Sequence, residues 1–237
     1  MKLVEVIVKW IREEVKKSGR EGAVLGLSGG LDSSVAACLT KKALGEKVIG
    51  LLMSCHSDPV DEDYAWKVAK KFNIKTRRVV LNSVYDSFLK VLPPGGKISR
   101  ANLKPRLRMI TLYYFANNLN YLVVGTGNKS ELMVGYFTKY GDGGVDILPI
   151  GGLLKTQVKE LAKDLGIPNE IIKRAPSAGL WEGQTDEGEL GLTYEELDEA
   201  IEIIESGKKF SSKKVDRVKR LMKNSQHKRS LPLIFQK

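Results

Sequence analysis

Apolar positions along this chain switch repeatedly between helical spacing and short continuous runs. Leu3, Val6, Ile7, Trp10, Ile11 and Val15 fall three or four residues apart and Ser18-Gly19 ends the series, which predicts an amphipathic first helix. A stripe of this width is expected to pack within its own chain rather than to form a dimer face. Ala23 to Leu27 predicts a buried strand, and a helical pattern opens at Ser33 and closes at Gly45. A strand follows over Val48 to Met53, then a helix with Pro59 in its first turn that runs to Phe72 and ends at Asn73, then a strand over Arg77 to Leu81. The next helix is short, with Val84, Phe88, Leu89 and Val91 on its apolar side, and Pro93-Pro94-Gly95-Gly96 breaks the pattern as a mobile surface loop. A long helix is predicted over Asn102 to Asn118, starting near Asn102 because Pro105 is tolerated only in a first turn. Tyr121 to Gly125 reads as a fourth strand, Ile147 to Ile150 as a short extended piece, and Lys155 to Leu165 as a helix stopped by Gly166. Thr193-Tyr194-Glu195-Glu196 is a capping box for a helix to about Glu205, and Ser211-Ser212 start a last helix with Val215, Val218, Leu221 and Met222 inward.

Strands alternating with helices predict an α/β fold, a doubly wound parallel sheet of order 3-2-1-4-5 with helices on both faces, Rossmann-like in plan. A chain of 237 residues with 42% hydrophobic content can bury the core of one domain, and residues 1–237 are read as one. No apolar run approaches the length of a membrane span and the N-terminal stretch carries charges throughout, so a soluble, cytoplasmic protein is expected. Cys38 and Cys55 make neither a disulfide framework nor a zinc pattern, although Cys55 lies near the expected site. The net charge of +11 is concentrated: residues 208–237 hold eleven Lys or Arg against one acid, Asp216, while residues 182–206 hold ten acids and no Lys or Arg. Two mutually attracting solvated helices would explain this, as would a tRNA-facing or anionic-substrate surface. Residues 177–192, acidic and glycine-containing, are expected to form a mobile lid over bound substrate.

Candidate chemistry begins at Gly26-Leu27-Ser28-Gly29-Gly30-Leu31-Asp32-Ser33, the turn between the first strand and the following helix. Glycines let backbone N–H groups approach an anion, and the helix N-terminus adds a positive dipole end, so a nucleotide phosphate is expected there. The stretch is no Walker A loop, since no Lys follows the last glycine, and it lacks the third glycine of the dinucleotide fingerprint. Asp32 would repel phosphates unless a divalent cation lies between; otherwise it is a first-turn acid complementing the helix dipole. A second strand-to-helix junction, Gly125-Thr126-Gly127-Asn128-Lys129-Ser130-Glu131, offers a hydroxyl and another carboxylate. With strands one and four adjacent, Asp32 and Glu131 meet at the switch point and could hold Mg²⁺ against ATP. The glycine-rich loop from Thr138 to Asp146 keeps Lys139, Asp142 and Asp146 available to a ligand. Arg106 and Arg108 can reach a phosphate or carboxylate, His56 is an adenosine-side candidate, and His227-Lys228-Arg229 forms a cationic cluster near the end.

Ser28-Gly29-Gly30-Leu31-Asp32-Ser33 resembles the pyrophosphate-binding loop of the ATP pyrophosphatases, which split ATP between its α and β phosphates. The order of motifs narrows this to the ammonia-dependent NAD synthetases. The specific segments are Gly125 to Glu131, the Phe137-Thr138-Lys139-Tyr140-Gly141-Asp142-Gly143-Gly144 loop, Ala175-Pro176-Ser177 and His227-Lys228. The resemblance implies a homodimer with the dinucleotide at the subunit interface, and amidation of deamido-NAD⁺ by ammonia with ATP consumed to AMP and diphosphate through an adenylated nicotinate. It further implies ATP contacts at Gly26 to Ser33, Thr126, Lys155 and Ser177, Mg²⁺ on Asp32 and Glu131, and catalytic roles for Asp32, Glu131, Asp146 and Lys155. Deamido-NAD⁺ contacts are implied at Arg106, Lys139, Asp146, His227 and Lys228, with Asp146 near the ammonia position. Ser177 stands where the family often has Thr, and Asn128-Lys129-Ser130 where bacterial members commonly have Asp-His-Ala. No amidase-like domain is expected, so glutamine would be hydrolysed by another protein, if at all. A tRNA-modifying pyrophosphatase is the competing reading; the absence of a Cys-x-x-Cys pair for sulfur transfer counts against it. A nucleotide fold without catalysis is disfavoured by the presence of Asp32, Glu131 and Lys155.

Overall fold

A computed structural model of the chain describes residues 2–207, 210 and 212–235. Four strands, β1 (Gly22–Gly26), β2 (Val48–Ser54), β3 (Lys75–Val80) and β4 (Tyr121–Val124), pair in parallel in the order β3-β2-β1-β4. Side chains alternate between faces: Ala23 and Leu25 enter one apolar core, Val24 the other, and Leu122 and Val124 flank Val123 in the same way. Covering both faces is what makes the inner strands read as continuous apolar runs. The predicted fifth strand shrinks to one bridge, Ile147 to Val124. Asp146 explains the loss, because its carboxylate accepts the Val123 N–H (2.8 Å) that a neighbouring strand would have used, and Pro149 follows close behind. At the other edge, β3 is guarded by exposed Lys75, Arg77 and Arg78.

Helix α1 (Leu3–Lys17) divides its apolar stripe: Ile7, Ile11 and Val15 are buried against α2 (Leu31–Leu44), whereas Leu3, Val6 and Trp10 are exposed. After α3 (Pro59–Lys71), α4 (Asn82–Val91) does the same more sharply, burying Tyr85 and packing Leu89 beside it while Val84, Phe88 and Val91 face outward. A single-turn α5 (Lys97–Ala101) precedes the long α6 (Leu103–Leu119), which Asn120 ends in a left-handed conformation. Three helices then lie around the cleft: α7 (Lys129–Val134), α8 (Lys155–Leu165) and the short α9 (Asn169–Ile172).

The stretch 177–192 is not wholly a loop. It contains α10 (Asp186–Leu190), whose Thr185 side chain accepts from the Gly188 N–H and which stops at left-handed Gly191, a helix too short to show periodicity. Leu190 and Leu192 join a third apolar core with Val134, α11 (Tyr194–Glu205) and α12 (Lys213–Asn224). Ser212 caps α12; Ser211 lies outside the described residues. The acidic and basic blocks meet here, α11 packing on α12 with Lys214 on Glu196 at 2.7 Å, and Lys129 of α7 on Glu205 at 2.6 Å. The chain closes with α13 (Gln226–Arg229). Among the described residues no helix is long and apolar enough to cross a membrane.

Candidate active site

The first loop is built by its own hydroxyls. Ser33 Oγ donates to the Gly30 carbonyl (3.0 Å) and lies 2.9 Å from Ser28 Oγ, and Ser34 Oγ donates to the same carbonyl (2.7 Å), so the backbone curls at the start of α2. Gly29 has φ +80°, and a Cβ there would meet the Asp61 carbonyl at 2.2 Å. Only glycine lets the loop lie this close to α3. Above it opens a cleft of about 1430 Å³ at the carboxyl ends of the strands, where an open α/β sheet binds ligands.

At the cleft floor Asp32, Glu131 and Lys155 converge from three elements. Lys155 Nζ donates to Asp32 Oδ2 and lies 3.4 Å from Glu131 Oε1, with side-chain exposures of 7, 16 and 17%. Asn128, fully buried, orients the acids: its side-chain amide donates to Asp32 Oδ1 (3.0 Å), and its backbone N–H donates to Glu131 Oε2 (3.2 Å). Burial, reinforced by the charge of Asp32, pushes the Glu131 carboxyl up to about 8 against the pull of Lys155. Burial would lower the Lys155 ammonium, but Asp32 and Glu131 outweigh it and hold Lys155 above its usual value. Asp186 of α10 adds a third acid nearby, itself raised by burial; its Oδ2 accepts from the Tyr194 hydroxyl (3.0 Å) and its buried Oδ1 has no partner.

Arg106, Lys139, His227 and Lys228 form a basic group of which Lys228 alone lines the cleft. Arg106 Nη2 donates to the Lys139 carbonyl (3.3 Å), Lys139 Nζ to the His227 carbonyl (2.6 Å), and Lys228 Nζ to the Gly135 and Phe137 carbonyls (2.7 and 2.8 Å). Thr126 and Ser177 line the cleft as well. Asp146 does not: its carboxylate is committed to the Val123 N–H and the Tyr113 hydroxyl (2.9 Å). Asp142 lines the cleft instead as a solvent-exposed residue, and desolvation by the surrounding protein raises its carboxyl despite a hydrogen bond from the Thr138 N–H (2.9 Å). Arg108 aims its guanidinium at the Met53 carbonyl and Ser57 Oγ (both 3.1 Å). His56 borders the cleft with Nε2 2.8 Å from Asp86, and Cys55 is buried beneath.

A family model described as NAD synthase matches residues 3–232. The chain belongs to the NAD synthase family. Proteins named NH(3)-dependent NAD(+) synthetase are similar to it over nearly their whole length: that of Carboxydothermus hydrogenoformans is 51% identical, covering 96% of this chain and 94% of its own, and that of Archaeoglobus fulgidus 50%, covering 98% and 95%. Among solved structures, an NMN synthetase from Francisella tularensis superposes with a TM-score of 0.90 at 39% identity, covering 98% of this chain and 96% of its own. An NH3-dependent NAD synthetase from Campylobacter jejuni in complex with nitrate gives 0.86 at 31%, covering both chains fully.

For this NAD synthase family member, sequence reasoning missed Asp186 and Tyr194, because an acid after a helix cap and a tyrosine in a capping box carry purely local explanations. Asp142 stood among the loop candidates without a role. The donor set at the floor is hard carboxylate oxygen, the kind Mg²⁺ takes in ones or twos while phosphates and water complete its shell. Among the described residues no group of three or more His, Cys, Asp or Glu is arranged to hold a metal, so the two carboxylates fit a cation shared with a phosphate ligand rather than an all-protein cage.

Proposed function

We propose that this chain amidates deamido-NAD⁺ with ammonia, consuming ATP to AMP and diphosphate and yielding NAD⁺. The observation that carries the reading is the convergence of Asp32, Glu131 and Lys155 beneath the Ser28-to-Ser33 loop. In this reading the nicotinate carboxylate oxygen bonds to the α-phosphorus while the α–β bridge breaks and diphosphate departs with the electron pair. The ammonia nitrogen then bonds to the acyl carbon, and AMP leaves. The loop N–H groups and the α2 N-terminus receive the departing diphosphate, and Lys155 offers its ammonium to the charge that builds on it. Asp32 and Glu131 would hold Mg²⁺, which neutralises phosphate charge and orients the leaving group. Thr126 and Ser177 contribute hydroxyls to ATP. Asp142, lining the cleft, takes the proton that nitrogen loses, whereas the sequence resemblance puts Asp146 near the ammonia position.

Arg106, Lys139, His227 and Lys228 bind the dinucleotide end, and the residues over 177–192 close the cleft, tethered by Lys104 Nζ to the Leu180 carbonyl (2.8 Å). A homodimer is part of this reading, supported by the exposed apolar residues Val84, Phe88 and Val91 of α4 and Ile110 and Tyr114 of α6, a helix that α4 packs against. The test supplies ATP, Mg²⁺ and an ammonium salt with either deamido-NAD⁺ or the deamidated mononucleotide. AMP and NAD⁺ in equal amounts are expected with the dinucleotide. ADP as the product refutes the reaction class, and faster turnover of the mononucleotide would instead place the chain with the Francisella protein in activity.

A further inference from the structure

Lys155 is the first residue of α8, and the residue before it, Leu154, has no side chain able to cap the helix. The first N–H groups of a helix need partners from elsewhere. Here the Lys155 N–H donates to Ser130 Oγ (2.9 Å), the Thr156 N–H to Asp198 Oδ2 (2.9 Å), and the Thr156 hydroxyl to the same oxygen (2.8 Å). Ser130 in turn donates its hydroxyl to Asp198 Oδ1. Asp198 sits on α11 at 3% exposure, among residues of the third core and outside the cleft lining. These bonds reach it from neutral donors, and its charge faces the positive end of α8. Ser130 immediately precedes Glu131.

We propose that Asp198 is a positioning residue for the reaction, fixing through Ser130 and Thr156 the two backbone segments that carry Glu131 and Lys155. A carboxylate is a costly thing to bury where packing alone is wanted, and α11 already supplies Leu197, Ala200 and Ile201 for packing. What an apolar residue could not do is accept from the Thr156 backbone N–H and the Ser130 hydroxyl at once. Lys155 has a long side chain whose ammonium must rest between two carboxylates, so a shift of its helix start misplaces the charge, and misplacement of about 1 Å can cost on the order of a hundredfold in rate. The proposal rests on the reading of Lys155 and Glu131 given above.

The experiment assays AMP release by Asp198→Asn, Ser130→Ala and the double variant with ATP varied. Each single variant is expected to lose about tenfold in kcat with KM for ATP moving less than about threefold, the pattern of lost transition-state positioning. The double variant should fall no further than the worse single, since both act through one chain of bonds. Leu197→Ala, a fully buried neighbour on α11, is expected to lower the melting midpoint at least as much while keeping kcat within about twofold per folded enzyme. If Asp198→Asn does not fold, Ser130→Ala and Thr156→Val carry the same expectation. Wild-type kcat in Asp198→Asn or in both hydroxyl variants, or multiplicative losses in the double variant, overturns the proposal. Lys155→Met, run alongside, separates the two levels: if it keeps kcat the site reading fails and takes the proposal with it, and if it is inactive while Asp198→Asn is not, the proposal alone fails.

Discussion

Two carboxylates facing one ammonium leave a net negative charge at the cleft floor, and Asp186 adds to it. Burial first, and the charge of Asp32 after it, raises the Glu131 carboxyl to about 8. The consequence for stability has a definite sign. With the folded value above the unfolded one, the native state binds more protons between the ordinary carboxylate range and about 8, so stability falls as pH rises through that window and levels off above it. Melting midpoints of ligand-free protein should decline between about pH 5 and 8.5, and Glu131→Gln should flatten that decline; an unchanged slope in the variant would refute the assignment. Asp32→Asn removes one partner of Lys155 but also relieves the repulsion on Glu131, so its melting midpoint should move little. AMP formation, in contrast, should fall by about a hundredfold or more. Unimpaired turnover of Asp32→Asn in Mg²⁺ would remove Asp32 from the site.

The elements test local chemistry separately from the site. Gly19 and Gly29 both have positive φ (+68° and +80°), yet a Cβ at Gly19 meets nothing within 4 Å while one at Gly29 meets backbone of α3. Gly19→Ala should therefore cost only the left-handed penalty, about 1 kcal/mol, and Gly29→Ala about 2–3 kcal/mol with a raised KM for ATP. Urea unfolding and ATP titration of the two variants check this, and equal losses would refute the packing argument. The strands and helices with strong periodicity or strong stops were legible in the sequence: Gly45, Asn73, Gly166 and the Thr193 capping box all mark the ends they predicted. Missed were elements whose causes are short or tertiary. α5 and α10 are five residues each, below any periodic signal, and the fifth strand was lost to a side-chain carboxylate competing for Val123. The same limit applies inside the site. The Asp32 and Glu131 pair followed from strand order, whereas Asp186, Asn128 and Asp198 became visible only once α7, α10 and α11 were placed together.

At the scale of the whole molecule, the acidic and basic blocks are brought together by the packing of α11 on α12, with Lys214 on Glu196 between them. The apolar surface is the larger signal. Val84 is 47% exposed, Phe88 44% and Val91 78%, all on α4, and α4 packs on α6, where Ile110 and Tyr114 are also exposed. The predicted apolar side is split, Leu89 packing inward beside Tyr85 while Val84, Phe88 and Val91 stay exposed among the described residues. A second copy would cover these three, and α6 also carries Arg106, which meets Lys139 in the basic group assigned to the dinucleotide, so assembly and substrate binding should be linked. Phe88→Glu places a charge in the middle of the patch while touching none of the ATP residues. Light scattering should find the wild type dimeric and the variant monomeric, with KM for deamido-NAD⁺ raised about tenfold or more and KM for ATP nearly unchanged. A wild type that is monomeric at full activity would refute the dimer, and a monomeric variant with unaltered KM for deamido-NAD⁺ would show that the dinucleotide site is complete within one chain.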